Sequence, residues 1–230
     1  MPEADRVVGR SSASFLVTYR PLCSTPAGCD AVRRFGLPPF IDSSCRREPD
    51  FQAAAPSISA LCRTTKFVPR VWPGDRVVYI TGQGSYEGAP GWALVAALVV
   101  VERLESHEQA AASYRGRGQP LPSNCIVAGN PPEVFERTSR RAPDEVRDRV
   151  DVATEPERAV RLWDAMYAAR ARDCGVFLVC KAEYLELRRP RVLRRDDLVR
   201  IFGRVPGTQN PPKISADEYA ALRCYAEQAG

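Results

Sequence analysis

Histidine is nearly absent from this chain: His107 is the only one in 230 residues. A Ser-His-Asp or Cys-His catalytic apparatus could therefore be built on that residue alone. His107 falls at the first turn of a capped helix, where a solvated or capping role is expected. Lysine is almost as scarce. Of 33 basic residues only Lys66, Lys181 and Lys213 are lysines, which leaves 30 arginines. There is no G-x-x-x-x-G-K-[ST] phosphate loop and no G-x-G-x-x-G following a strand. The glycine-rich "GQGSYEG" has the wrong spacing and leads into no helix, so a nucleotide cradle is not expected there. No Cys-x-x-Cys pair accompanies the eight cysteines, and the closest of them have five residues between them. That spacing disfavours structural zinc, and buried free thiols are the expectation. No apolar run approaches membrane-spanning length, and "MPEADRVVGRSS" lacks a secretory core. The reading is a cytoplasmic protein with no membrane partner, no cofactor and no metal site.

What is present is ordinary globular composition, 44% apolar and 27% charged, in a length suited to a single domain. The net charge of +5 is carried by guanidinium groups, whose planar fork suits phosphates and base edges. An arginine excess permits nucleic-acid binding without requiring it.

Pattern then gives the elements. "SASFLVTYRPL" reads as a first strand, with Phe15, Val17 and Tyr19 alternating. A long stretch without clear periodicity runs to Arg70, and stretches of this length are functional or carry short helices of their own. Two strong strands follow, "DRVVYIT" and "GWALVAALVVVERLES", joined as a hairpin. Ser106 with Gln109, Thr154 with Glu157, and Ser215 with Glu218 mark three helix starts. "GVFLVCKAEYLEL" is a further strand, and "RRDDLVRIFG" is a short helix with a glycine stop. Residues 133–154, dense in alternating charge, read as a solvated excursion. The expectation is one α+β domain over 1–230: a small mixed, partly closed β-barrel with inserted and C-terminal helices. Its core would span about 13–130 plus a strand at about 175–187, with helices over 155–230.

No acid–base pair has catalytic spacing. Asp42 is the one carboxylate set among apolar and small residues, and an enzymatic reading would rest on it with Lys66 and Asn124. The chain offers instead polar and aromatic groups at strand ends: Tyr19 and Arg20, Ser57, Ser59 and Arg63, Lys66, Tyr79 and Thr81, Trp92, and Asn124. Together these suit a pocket for a planar polar ligand.

The order "FLVTYRP", then "ISALCRTTKFVPRVWPGDRVVYITG", then "GWALVAALVVVERLES", resembles the PUA-like superfamily (EVE, ASCH and YTH domains). Within it the nucleotide-modification-associated domains are nearest. The resemblance covers residues 13–106. It implies a barrel holding a modified or flipped-out base at one end, with Tyr19, Ser57, Ser59, Lys66, Tyr79, Thr81 and Gly82 bordering the pocket. Thr18-Tyr19-Arg20-Pro21 departs from the ending of many EVE opening strands, and no YTH-type aromatic cage is assigned. Trp92 and Asn124 complete the expected pocket, and Arg46, Arg47, Arg63 and Arg70 are the expected phosphate ligands. Gln209 and Asn210 are edge readers or simple turn residues. The partner expected is nucleic acid, DNA ahead of RNA, with a nuclease or modification enzyme as a further partner. The alternatives are an enzyme acting on nucleotides or modified bases, and an interaction module of a modification system.

Overall fold

The computed structural model describes residues 10–63, 66–86, 88–207 and 210–227. Gln209 lies outside the described residues. The strands are β1 (Ser14–Tyr19), β2 (Ser57–Ser59), β3 (Arg76–Thr81), β4 (Gly84–Tyr86), β5 (Ala89–Leu104), β6 (Phe177–Leu185), β7 (Arg191–Leu193) and β8 (Lys213–Ile214). The helices are α1 (Pro26–Phe35), α2 (His107–Gly116), α3 (Asp144–Arg147), α4 (Pro156–Asp173), α5 (Arg195–Phe202) and α6 (Ala216–Glu227).

The fold is α+β, built on one eight-stranded mixed sheet in the order β2-β6-β5-β3-β1-β8. β4 and β7 pair with the long β5, which also carries β3 and β6. Among the described residues only β1 and β3 run parallel; the other pairs are antiparallel. The outer strands β2 and β8 do not pair with each other among the described residues, so the sheet is open.

Period-two alternation divides the sheet into two buried faces. Phe15, Val17, Val77, Tyr79 and Leu98 share one core. Leu16, Val78, Ile80 and Leu94 form the other, beneath Leu198 of α5 and Leu222 of α6. On the first face, the long stretch after β1 crosses toward a third cluster formed by α4. That stretch begins with α1, capped by the Thr25 hydroxyl on Gly28 N–H and ended by Gly36 at φ +64°. The charges of 133–154 do face solvent in α3, where Asp144, Glu145 and Arg147 are exposed. The segment is nevertheless anchored, because Phe135, Ala142, Val146 and Val150 bury against Trp163 and Tyr167 of α4.

"WPGDRVVYIT" turns sharply because Gly74 takes φ +88° and the following acid holds the corner. The fully buried Asp75 carboxylate accepts from Trp72 N–H at 2.9 Å, Ala13 N–H at 2.8 Å and both Arg10 Nη atoms at 2.9 Å. It thereby ties the chain entering β1 to the turn entering β3. Asp75→Asn keeps the shape and loses the charge on a buried acceptor of three partners. We expect a loss of about 2 kcal/mol, read by urea unfolding at unchanged slope.

Candidate functional site

Residues 41–50, "IDSSCRREPD", are all buried, although half of them are charged. Burial of charge is costly unless each group finds partners, and the partners are specific. Arg46 Nε pairs with Asp164 of α4 at 2.5 Å, and its Nη1 donates to the carbonyls of Asn130 at 2.8 Å and Ser123 at 3.3 Å. Arg47, held at φ +42°, donates to the carbonyls of Asp42 at 2.6 Å and Arg137 at 2.5 Å. Asp50 accepts from Gln52, Ala53 and Ser123 N–H groups at 2.9, 3.2 and 2.6 Å. The segment is thus an internal polar strut linking the sheet, α4 and the 120–137 loops.

The strut forms one wall of a cavity of about 600 Å³. The ends of β1 and β3 supply Tyr19 and Tyr79, the loop after β2 supplies Cys62, Arg63 and Phe67, and α4 supplies Trp163 and Tyr167. Tyr19, Phe51 and Tyr79 pack edge to face at 5.2–6.0 Å, which fixes both tyrosine rings. The Tyr19 hydroxyl donates to the Phe40 carbonyl. Tyr79 is 2% exposed, and its hydroxyl has no hydrogen-bond partner among the described residues.

Two carboxylates line this cavity in the same manner. Asp42 Oδ1 accepts from Ser44 N–H at 2.8 Å, Ser44 Oγ at 2.5 Å and Glu48 N–H at 3.0 Å, while no protein donor reaches Oδ2 among the described residues. Glu48 Oε2 accepts from Ser59 N–H at 3.1 Å, from the Ser59 hydroxyl and from Asn124 Nδ2 at 2.8 Å. Its Oε1 takes only the second branch of the Ser59 N–H bond, at 3.0 Å. Each acid is therefore clamped through one oxygen and keeps capacity on the other. Burial raises both above the usual carboxylate range, Glu48 to about 8, against the opposing pull of these donors. A pKa of about 8 favours the protonated acid near neutral pH, and Oε1, which faces fewer donors than Oε2, is the oxygen better placed to carry the proton.

The expected site residues separate into three groups. Tyr19, Ser59, Arg63 and Tyr79 line the cavity, as does Asp42. Ser57 and Asn124 sit directly behind it: Ser57 Oγ donates to Asn124 Oδ1 at 2.8 Å, which turns the Asn124 amide toward Glu48. The remainder lie elsewhere. Arg46 and Arg47 are 2% exposed and bonded within the strut, Arg47 through both Nη atoms while its Nε finds no partner among the described residues, so neither guanidinium is presented at the surface. The Thr81 hydroxyl accepts from Ala93 N–H at 2.9 Å, and Gly82 N–H donates to the Tyr19 carbonyl at 2.9 Å, so both serve to join neighbouring strands. Trp92 packs on the opposite face of the sheet, while Lys66 and Arg70 are exposed away from the cavity. Arg63 donates to the Thr18 carbonyl at 2.7 Å.

Glu48 had no distinguishing signal in the sequence, because "CRREPD" has the composition of an exposed turn. His107 is buried, not solvated: its Nδ1 accepts from Ile126 N–H at 3.0 Å, and burial lowers its pKa to about 4. Of the eight cysteines only Cys45, Cys125 and Cys180 are buried, fewer than expected. Among the described residues no group of three or more His, Cys, Asp or Glu side chains could hold a metal ion. No helix there is long and apolar enough to cross a membrane. Comparison of the chain with protein-family models, curated proteins and solved structures gives no match to any of them.

Proposed function

We propose that the cavity receives a single nucleobase, modified or flipped out of a nucleic-acid strand, and that the protein reads it without altering it. The observation that carries this reading is the combination of aromatic walls with a buried polar floor. Tyr79, Trp163 and Tyr167 offer faces and edges for a planar ring, and Glu48 Oε1, Asp42 Oδ2 and the Tyr79 hydroxyl keep hydrogen-bonding capacity for its edge. A base site needs both, since extrusion costs a few kcal/mol and stacking returns about 1–3 kcal/mol. The PUA-like resemblance supports the same reading. DNA is the preferred partner, and a nuclease or modification enzyme would act on what is bound.

Fluorescence-anisotropy titration against matched oligonucleotides, plain and base-modified, tests this. At least one modified strand is expected to bind tenfold or more tightly than its plain match. Tyr79→Phe, which keeps the ring packing and removes only the hydroxyl, should cut that preference about 5- to 10-fold with an unchanged melting temperature. Equal affinity for plain and modified strands throughout would sink the idea.

One observation favours a second reading, that of an enzyme on modified nucleotides. Two buried carboxylates with raised pKa share one cavity, which is how acid–base roles are set. Glu48 would hold the proton and Asp42 would be its partner. Lys66, exposed outside the cavity, has no part in it. Product formed from modified nucleosides, and lost in Glu48→Gln, would place this reading first.

A further inference from the structure

Arginine is abundant here, so the useful question is which guanidinium groups the fold leaves uncommitted at the cavity. Arg46 and Arg47 are consumed by the strut. Arg137 pairs with Glu133 at 2.7 Å, Arg147 pairs with Asp144, and Arg63 is held by Thr18. Two remain. Arg20, immediately after β1, and Arg141, immediately before the buried Ala142, both line the cavity mouth and both are exposed. Among the described residues neither forms an ion pair, although Glu145 also lies on the rim.

They approach the mouth from different parts of the chain; backbone bonding holds Arg20 directly and holds the residue before Arg141. The Arg20 carbonyl accepts from Ser43 N–H at 3.2 Å. Arg141 follows Arg140, a non-glycine residue at φ +54° whose N–H is taken by the Thr138 hydroxyl at 3.0 Å. Such a conformation costs free energy and is kept only where the surroundings enforce it. Partial burial, and then the charge of Arg141, lower the pKa of Arg20. The fold therefore brings two guanidinium groups to one cavity mouth, where Asp42 acts on Arg20 in the opposite sense, and none of the carboxylates lining the cavity forms an ion pair with either arginine among the described residues.

We infer that Arg20 and Arg141 are a phosphate clamp at the cavity mouth, gripping the phosphate attached to the nucleotide whose base lies inside. This rests on the base-binding reading above, and it names the ligand class more narrowly: a nucleotide, not a free base or a nucleoside. The phosphate can be a diester in a strand or the monoester of a free nucleotide; the chemistry at the clamp is the same. Bidentate donation from two forks suits it, whereas a lysine would offer a point charge without that geometry. Recognition is then divided, the clamp setting position and the cavity setting identity.

The test compares wild type with Arg20→Gln, Arg141→Gln and the double variant, on plain and base-modified single strands over a range of salt. Each clamp arginine should contribute about 0.7 to the slope of log affinity against log salt, so the double variant should lose about 1.4. It should weaken plain and modified strands alike and leave their ratio unchanged. Arg158→Gln on the far side of α4, already paired with Glu155, should leave the slope intact. A full slope in the double variant, with the modified-over-plain preference retained, overturns the clamp and spares the base reading. Should wild type bind no strand, the base reading falls, and inorganic phosphate titrated against ¹⁵N-arginine side-chain resonances decides the clamp alone. Saturable shifts at Arg20 and Arg141 support it, and their absence overturns it. Nucleoside 5′-monophosphates in parallel separate the two phosphate sources.

Discussion

Raising the pH from 6.5 to 8 is expected to destabilise the wild-type protein by about 2 kcal/mol, and Glu48→Gln is expected to abolish most of that loss. Glu48 sits at about 8 in the folded state against an ordinary value of 4.5, with burial as the main cause. For an acid whose folded pKa is raised, stability is full below the unfolded value. It falls as pH climbs, because the unfolded chain releases a proton that the folded chain retains. The loss runs at about 1.4 kcal/mol per pH unit between roughly 4.5 and 8, and then levels off. His107 acts in the opposite direction. Its folded pKa is lowered to about 4, so its contribution is present above about 6.5 and lost as pH falls. The two overlap between pH 4.5 and 6.5, which leaves 6.5 to 8 as the window where Glu48 dominates. Glutamine keeps an oxygen for the Ser59 and Asn124 donors and has no charge to bury. At pH 8 Glu48→Gln should therefore be the more stable protein, by an amount on the order of 4 kcal/mol. Urea unfolding at pH 6.5, 7, 7.5 and 8 measures both curves. Parallel curves would mean that Glu48 is already ionised in the fold.

The second large effect is structural. Arg46→Ala should cost about 3–5 kcal/mol and lower the melting temperature by roughly 10 °C. Its side chain is 3% exposed and binds three points on separate segments: Asp164 on α4, Ser123 after α2, and Asn130. Truncation leaves the Asp164 carboxylate without its cation and two carbonyls without a donor, which is the costly way to break a buried pair. Arg46→Lys restores the charge but cannot span three acceptors in one plane, so it should recover only part of the loss. Arg161→Ala, on the exposed face of α4 with Glu157 at 3.7 Å, should change stability by less than about 0.5 kcal/mol. Arg46→Ala and Arg161→Ala melting together would show that position 46 is not the strut described here.

This contrast explains what was legible from the chain alone. β1, β3, β5 and β6, the Ser106 and Ser215 helix caps and the Gly203 stop are all local patterns, and each is found where the periodicity places it. The Thr154–Glu157 cap is displaced by one residue, since Glu155 occupies the cap and Pro156 opens α4. α1 starts at Thr25-Pro26, a cap and first-turn proline that lie inside a stretch without clear periodicity.

The candidate site was legible only in part, for a physical reason. Tyr19, Ser59 and Tyr79 stand on strands, where alternation tells which face a side chain occupies. Asp42 stood out by its apolar flanks. Glu48, Arg46 and Arg47 belong to a run whose composition is that of a surface loop, and nothing local distinguishes a solvated charge from one satisfied by a partner more than 70 residues away. The same holds for Arg20 and Arg141, which only the packing of 133–154 against α4 brings to one opening. Composition and periodicity determine the α+β class, the strands and most helix ends, because those depend on neighbours within a few residues. Which charges are buried, which arginines stay unpaired and where a cavity opens depend on desolvation and long-range pairing. Those were decided by the tertiary structure.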